Sequence, residues 1–432
     1  MVEKLLKAYK YLVASRTFSM LFIMVFLSAC HVRRAAENVI PIDPEVNPVE
    51  IPVSIIEPYK SYPIPGANDI EKVLNLIQGK KVGLIVNHTS MVGKKHLVDT
   101  LLALNVKIDK IFAPEHGFKG IIEAGGIIQD SALDMRNMIP VVSLYGAKKQ
   151  PSKEDLDSID VLIFDIQDVG VRFYTYISTL HYVMESCAEL KKPLIILDRP
   201  NPNGHYVDGF VLNKEFASYV GMHPIPVVHG LTIGELAFMI NGEGWLTDGR
   251  QIELSVVKNI NYSHLSLYNP PVPPSPNLKD HRAILLYPST CFFEGTVITE
   301  GRGTESPFVQ YGHPLLENMP FQFTPKSSTS TLRPRYQDTL CFGFDLSEIQ
   351  IDSIWQKRQI NLNLILEMFK IFPDKSTFFL QSQYIDKLAG TDKLRLMILE
   401  GKSGDEIRNA WKEELQSYKT LRKKYLLYKD FE

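Results

Sequence analysis

Five short apolar runs, at residues 81–86, 110–113, 141–144, 161–166 and 193–197, most constrain what this chain can fold into. They are rich in β-branched residues and too short for helices, which predicts strands buried on both faces. Between them the apolar spacing turns helical. Ile70, Val73, Leu74 and Ile77 share one face of 69–78, and helices are predicted over 96–104 and 177–190. Thr232, with Glu235 three residues on, opens a further helix over 232–240. Strands that alternate with helices predict an α/β fold, a doubly wound parallel sheet.

A proline-rich stretch then breaks the pattern at Pro270, Pro271, Pro273, Pro274 and Pro276. It divides a first domain over 66–280 from a smaller α+β domain over 281–432. In the second, strands are predicted at 284–287 and 339–344, and helices over 362–369 and 404–428.

The start of the chain reads differently. Lys4, Lys7, Lys10 and Arg16 precede an apolar stretch over 18–29 that ends Leu27-Ser28-Ala29-Cys30. A basic segment before a short apolar one predicts an export signal, and small residues before a cysteine resemble the bacterial lipobox. Residues 1–29 are then a signal peptide and Cys30 carries the lipid. The prolines of residues 31–65 form a tether from the membrane surface, in the periplasm or cell envelope. Cys187, Cys291 and Cys341 remain, so no disulfide framework is expected. A hydrophobic content of 45% excludes an intrinsically disordered chain. A net charge of −2 excludes a general nucleic-acid binder.

In a parallel sheet, ligands sit beyond the carboxyl ends of the strands, and polar residues gather there. Asn87 follows the first run, and Pro114-Glu115-His116-Gly117 the second. Asp165, Asp168, Arg172 and Tyr174 follow the fourth, Asp198 and Arg199 the fifth. Singly, such groups are ordinary caps and turns; together on one edge they predict a carboxylate-rich cleft. That chemistry suits glycoside hydrolysis or metal-assisted hydrolysis. Glu115 and His116 are adjacent, and His88, His229 and His313 have no partner at ligand spacing, so no metal is expected. Gly301-Arg302-Gly303 lacks the rest of a phosphate fingerprint, and no cofactor is expected.

A glycosidase needs a carboxylic acid that desolvation keeps protonated. Glu115, between Pro114 and Gly117 with Phe112 and Phe118 nearby, is the candidate. Arg172, Arg199 and Arg302 either bind an anionic substituent or pair with Asp165, Asp168 or Asp198. Tyr174 and Tyr176 either wall a sugar ring or belong to the core.

At these residues the sequence resembles a known family. Phe112-Ala113-Pro114-Glu115-His116-Gly117-Phe118 is similar to the P-E-H-G-F signature of bacterial exo-lytic β-N-acetylmuramidases, long described only as a domain of unknown function. Matching blocks follow in order at 143–146, 164–176, 198–202, 229–236 and 274–277. Phe293-Glu294-Gly295-Thr296, Glu300-Gly301-Arg302-Gly303-Thr304 and a block at 386–391 complete the set, so the resemblance covers 66–432.

The resemblance implies a Rossmann-like first domain, a smaller C-terminal domain and a site in the cleft between them. It implies release of N-acetylmuramic acid from the non-reducing ends of peptidoglycan fragments, with the catalytic glutamate at Glu115. Asp165, Asp168 or Glu294 supplies the second carboxylate. His116 and Arg172 orient the acid or hold substrate, with Asn87, Tyr174 and Arg199 beside them, and Arg302 meets the lactyl carboxylate of muramic acid. The expected partners are muropeptides or MurNAc-GlcNAc, and a membrane through the lipid anchor. One departure is Ala124-Gly125-Gly126, where relatives read Ala-Gly-Glu and only Glu123 lies close by. It favours a second reading, a non-catalytic peptidoglycan- or sugar-binding lipoprotein. A third is a metal-dependent hydrolase of another ester or glycoside.

Overall fold

The computed structural model describes residues 62–115, 117–119 and 139–432, and the backbone of Ala132–Asp134. Cys30, His116, residues 123–126 and most of the expected tether lie outside the described residues.

One sheet holds β1 (Lys81–Val86), β2 (Lys107–Ala113), β3 (Ala132–Asp134), β4 (Ile139–Ser143), β5 (Val161–Asp165), β6 (Leu194–Leu197) and β7 (Leu254–Val257). The spatial order is β3-β4-β2-β1-β5-β6-β7. Every pairing is parallel except that of the edge strand β3 with β4. Successive side chains of a strand point to opposite faces, and both faces are covered. Leu84 and Ile163 share a core with Val73, Ile77 and Leu101, from helices Ile70–Ile77 and Leu97–Ala103. Ile85, Leu162 and Phe164 share the opposite core with Leu180 and Leu236, from helices Tyr176–Leu190 and Ile233–Gly242. Thr232 and Glu235 close the expected capping box, with Glu235 Oε2 accepting from Thr232 N at 2.9 Å. The sequence pattern misses β3 and β7; in β7 the polar Ser255 interrupts the apolar run.

The C-terminal part is smaller. Residues 284–287, expected as a strand, lie inside the helix His281–Thr290. Asp280 is its N-cap, accepting from Ala283 N at 2.8 Å. Residues 283–290 are all buried, and a helix buried on every side shows no amphipathic period to read. Strands β8 (Gln310–His313), β9 (Phe321–Phe323) and β10 (Cys341–Asp345) form an antiparallel sheet in the order β8-β10-β9.

Helix Asn363–Ile371 forms as expected, and the last helix, Gly404–Arg422, ends short of 428 and returns to the first domain. Arg422 donates Nε and Nη2 to the Gly230 carbonyl at 2.9 and 2.7 Å. Tyr428 donates to Asp198 Oδ2 at 2.6 Å. Cys187, Cys291 and Cys341 are buried free thiols. Among the described residues, no helix is long and apolar enough to cross a membrane.

Candidate active site

The strand order reverses around β1 and β5: β2 and β4 lie on one side, β6 and β7 on the other. A crevice opens at such a switch point, beyond the carboxyl ends of the strands. Here it is a cavity of about 200 Å³ that both domains line. Glu115, one residue past Pro114 at the end of β2, lines it with Tyr174, Thr175 and Tyr176; from the C-terminal part come Glu294, Arg302, Tyr287 and Tyr384.

Thr175, the N-cap residue of helix Tyr176–Leu190, makes no side-chain cap bond. Its hydroxyl donates instead to Glu115 Oε2 at 2.6 Å, and Glu115 is 8% exposed. Tyr174 donates to the Pro274 carbonyl at 2.7 Å and meets Tyr176 edge-on at 5.0 Å. Tyr145 and Tyr219 complete six tyrosines around the cavity. Rings with an apolar body and a polar tip suit a sugar, whose faces are apolar and whose rim is hydroxylated.

In the same lining, Arg302 bridges two carboxylates. Its Nη2 lies 2.7 Å from Glu294 Oε1 and its Nε 3.0 Å from Glu300 Oε1. The guanidinium also lies 5.0 Å over the Phe308 ring. Burial alone would lower the Arg302 pKa, but Glu294 and Glu300 outweigh it and push it up. Burial pushes the Glu300 carboxyl up, against the pull of Arg302. Among the described residues Arg302 Nη1 has no partner.

Asn87, Asp165, Asp168, Arg172 and Arg199 do not line this cavity. Asn87 is fully buried; its Oδ1 accepts from Thr89 N at 2.9 Å and its Nδ2 donates to the Tyr176 hydroxyl at 3.0 Å. It therefore seats a cavity residue from behind. Asp165 and Arg199 form a buried two-pronged pair at 2.6 and 2.9 Å, the alternative that the sequence left open. Burial lowers the Arg199 pKa, but Asp165 outweighs it and the net shift is upward.

Asp168 Oδ2 accepts from Gly170 N at 2.6 Å, while Oδ1 has no partner among the described residues. Burial pushes the Asp168 carboxyl up to about 7. Arg172 is fully buried without a carboxylate. It donates to the carbonyls of Phe210, Ile225 and Leu388 at 2.8, 2.6 and 2.9 Å, and burial pulls it down to about 9. It clasps the first domain to the segment Tyr384–Ala389 and presents nothing to a ligand.

Sequence reasoning misses Thr175, Tyr287 and Tyr384. Thr175 stands inside the 164–176 block, where Tyr174 and Tyr176 draw the attention. Tyr384 precedes the 386–391 block and has no periodic signal. Among the described residues no three His, Cys, Asp or Glu side chains converge on a metal position.

This cleft is the setting for what related proteins show. The N-terminal model for exo-beta-N-acetylmuramidase NamZ matches residues 82–282 and its C-terminal model residues 285–428. Peptidoglycan beta-N-acetylmuramidase NamZ of Bacillus subtilis (strain 168) is 38% identical over 371 residues, 82% of this chain and 88% of that one. A crystal structure of a DUF1343 family protein from Bacteroides fragilis NCTC 9343 is 43% identical, with a TM-score of 0.80 over 86% of this chain and 100% of its own. A second DUF1343 family protein of that organism is 27% identical, with a TM-score of 0.72 over 85% and 99%. Two models that succeed one another along the chain, and a relative matched over most of both lengths, show that the chain belongs to the exo-β-N-acetylmuramidase NamZ family.

Proposed function

We propose that the chain is an exo-β-N-acetylmuramidase, a glycoside hydrolase that removes terminal non-reducing N-acetylmuramic acid from peptidoglycan fragments. One observation carries the reading: Glu115, from the P-E-H-G-F signature, lines the same tyrosine-rich cavity as Glu294. The activity named for the Bacillus subtilis relative supports it. Glu115 gives its proton to the glycosidic oxygen as the bond to the anomeric carbon breaks. Glu294 is the second carboxylate, because it lines the cavity while Asp165 and Asp168 both lie off it. Arg302 Nη1 meets the lactyl carboxylate that distinguishes muramic acid from glucosamine. The basic and apolar start of the chain, with Leu27-Ser28-Ala29-Cys30, supports an export signal over residues 1–29, a lipid on Cys30 and a membrane-anchored enzyme in the periplasm or cell envelope.

The test takes the full chain in detergent, with a chromogenic β-N-acetylmuraminide, its glucosaminide counterpart and MurNAc-GlcNAc, beside Glu115→Gln. Release from the muraminide and the disaccharide only, lost in the variant, is the expected result. Binding without release by the folded wild type would sink the enzymatic reading. Mass spectrometry of the protein from cells checks the anchor, which requires an acylated Cys30 and the loss of residues 1–29.

A further inference from the structure

Resting on the muramidase reading, we propose that Tyr384 and Glu294 hold the substrate's own 2-acetamido group, and that its carbonyl oxygen, rather than a protein carboxylate, attacks the anomeric carbon. Tyr384 opens the helix Tyr384–Ala389 and lines the cavity. Among the described residues its hydroxyl has no hydrogen-bond partner. A phenol turned into a cavity is a donor that awaits an acceptor. It shares the lining of that cavity with Glu294, Arg302 and Glu115. Burial, followed by Glu294, pushes its pKa up, so it stays a protonated donor.

Glu294 is poorly suited to be the nucleophile. Its Oε1 is bound to Arg302 Nη2 at 2.7 Å, and Glu300 at 3.0 Å together with the Phe308 ring fixes Arg302 in turn. An ion-paired, immobilised carboxylate has lost part of the charge density that attack requires. It retains one oxygen to accept a hydrogen bond and a fixed negative charge to face a developing cation. An acetamido group carries one N–H donor and one carbonyl acceptor. The free Glu294 oxygen takes the N–H, and the Tyr384 hydroxyl orients the carbonyl toward the anomeric carbon.

The step balances without a co-reactant. A lone pair of the acetamido oxygen forms a bond to C1. The C1–oxygen bond to the leaving sugar breaks, and its pair goes to the glycosidic oxygen, which takes the proton of Glu115. The positive charge of the resulting five-membered ring lies beside its N–H, against Glu294. Water then adds to C1 and gives its proton back to Glu115, while the ring C1–oxygen pair returns to the carbonyl. The net reaction is hydrolysis with retention of configuration.

Aryl β-muraminides carrying N-acetyl, N-fluoroacetyl, N-difluoroacetyl and N-trifluoroacetyl groups test this on the full chain. Fluorine withdraws electrons from the attacking oxygen, so kcat/KM is expected to fall by about 100-fold across the series, with the β-anomer released first. Tyr384→Phe is expected to lower kcat by about 100-fold, the scale of one lost transition-state donor, with an unchanged thermal midpoint. A flat series, release of the α-anomer, or a covalent Glu294–sugar adduct in the mass spectrum would overturn the proposal. So would full kcat in a folded Tyr384→Phe. Should that variant fail to fold, the wild-type series decides alone. A wild type that releases nothing from the N-acetyl substrate and from MurNAc-GlcNAc defeats the muramidase reading itself, an outcome distinct from a flat series.

Discussion

Thr175 Oγ1 lies 2.6 Å from Glu115 Oε2, so the cap residue of a 15-residue helix holds the proposed acid. Thr175→Val keeps the shape and removes the donor. It is expected to lower kcat by about 10- to 100-fold, the cost of a loosened catalytic group, with KM little changed. Thr175→Ser restores the hydroxyl and should restore most of kcat. Equal loss in both variants would mean that packing, not the hydrogen bond, matters at this position.

Arg172 marks the difference between a residue that reads as functional and one that works structurally. Its guanidinium satisfies the carbonyls of Phe210, Ile225 and Leu388, all far from solvent. Ile225 O also accepts from Leu212 N at 3.1 Å, so Arg172→Met strands the Phe210 and Leu388 carbonyls, each worth about 1–3 kcal/mol when left unpaired. A loss of about 3 kcal/mol in the urea unfolding free energy is expected. A variant with wild-type stability and a raised KM would show that Arg172 meets substrate after all.

How much of this was legible follows from which signals are local. The strands and flanking helices of the sheet were, because burial on both faces demands unbroken apolar runs and Thr232 with Glu235 announces its own helix. Helix His281–Thr290 was not, because burial all round erases its period. The strand ends were legible as a polar edge. Which residues turn into the cavity was not, since Asp165, Arg172 and Arg199 share their chemistry with true ligand contacts. Only three-dimensional partners separate them: Arg199 meets Asp165, while Arg302 keeps one nitrogen toward the cavity. Tyr384 lies about 270 residues beyond Glu115 in sequence, and nothing local couples them.

Asp168 gives a pH signature. Its carboxyl, pushed up by burial from 3.8 to about 7, binds its proton more tightly folded than unfolded. Its contribution is therefore fully present below about pH 4 and is lost as pH rises toward 7. His205 and His229, pushed down by burial to about 3, act in the opposite sense below pH 6.5, so the wild-type profile is a sum. Asp168→Asn isolates the one group. It retains an acceptor for Gly170 N, and should raise stability at pH 8 by about 1–3 kcal/mol while leaving pH 4 nearly unchanged. Urea midpoints across pH 4–8 check this; parallel wild-type and variant profiles would refute it.

Arg302 is the remaining lever, because one side chain joins Glu294, Glu300 and the proposed lactyl contact. Two carboxylates around one cation leave the cluster at −1 when both are ionised, which opposes a ligand carboxylate. Burial pushes Glu300 toward its neutral form, which relieves that opposition and leaves Nη1 for the ligand. The net gain is accordingly modest, and Arg302→Met should reduce the preference for muraminide over glucosaminide by about 10-fold, or about 1.4 kcal/mol. Removing the cation also frees Glu294 from the pair that positions it, so kcat should fall as well. Arg302→Lys keeps the charge but lacks the planar fork that reaches both glutamates. It should keep more of the muraminide preference than Arg302→Met and still lose kcat. Wild-type kcat in Arg302→Met, with the muraminide preference intact, would remove Arg302 from both roles.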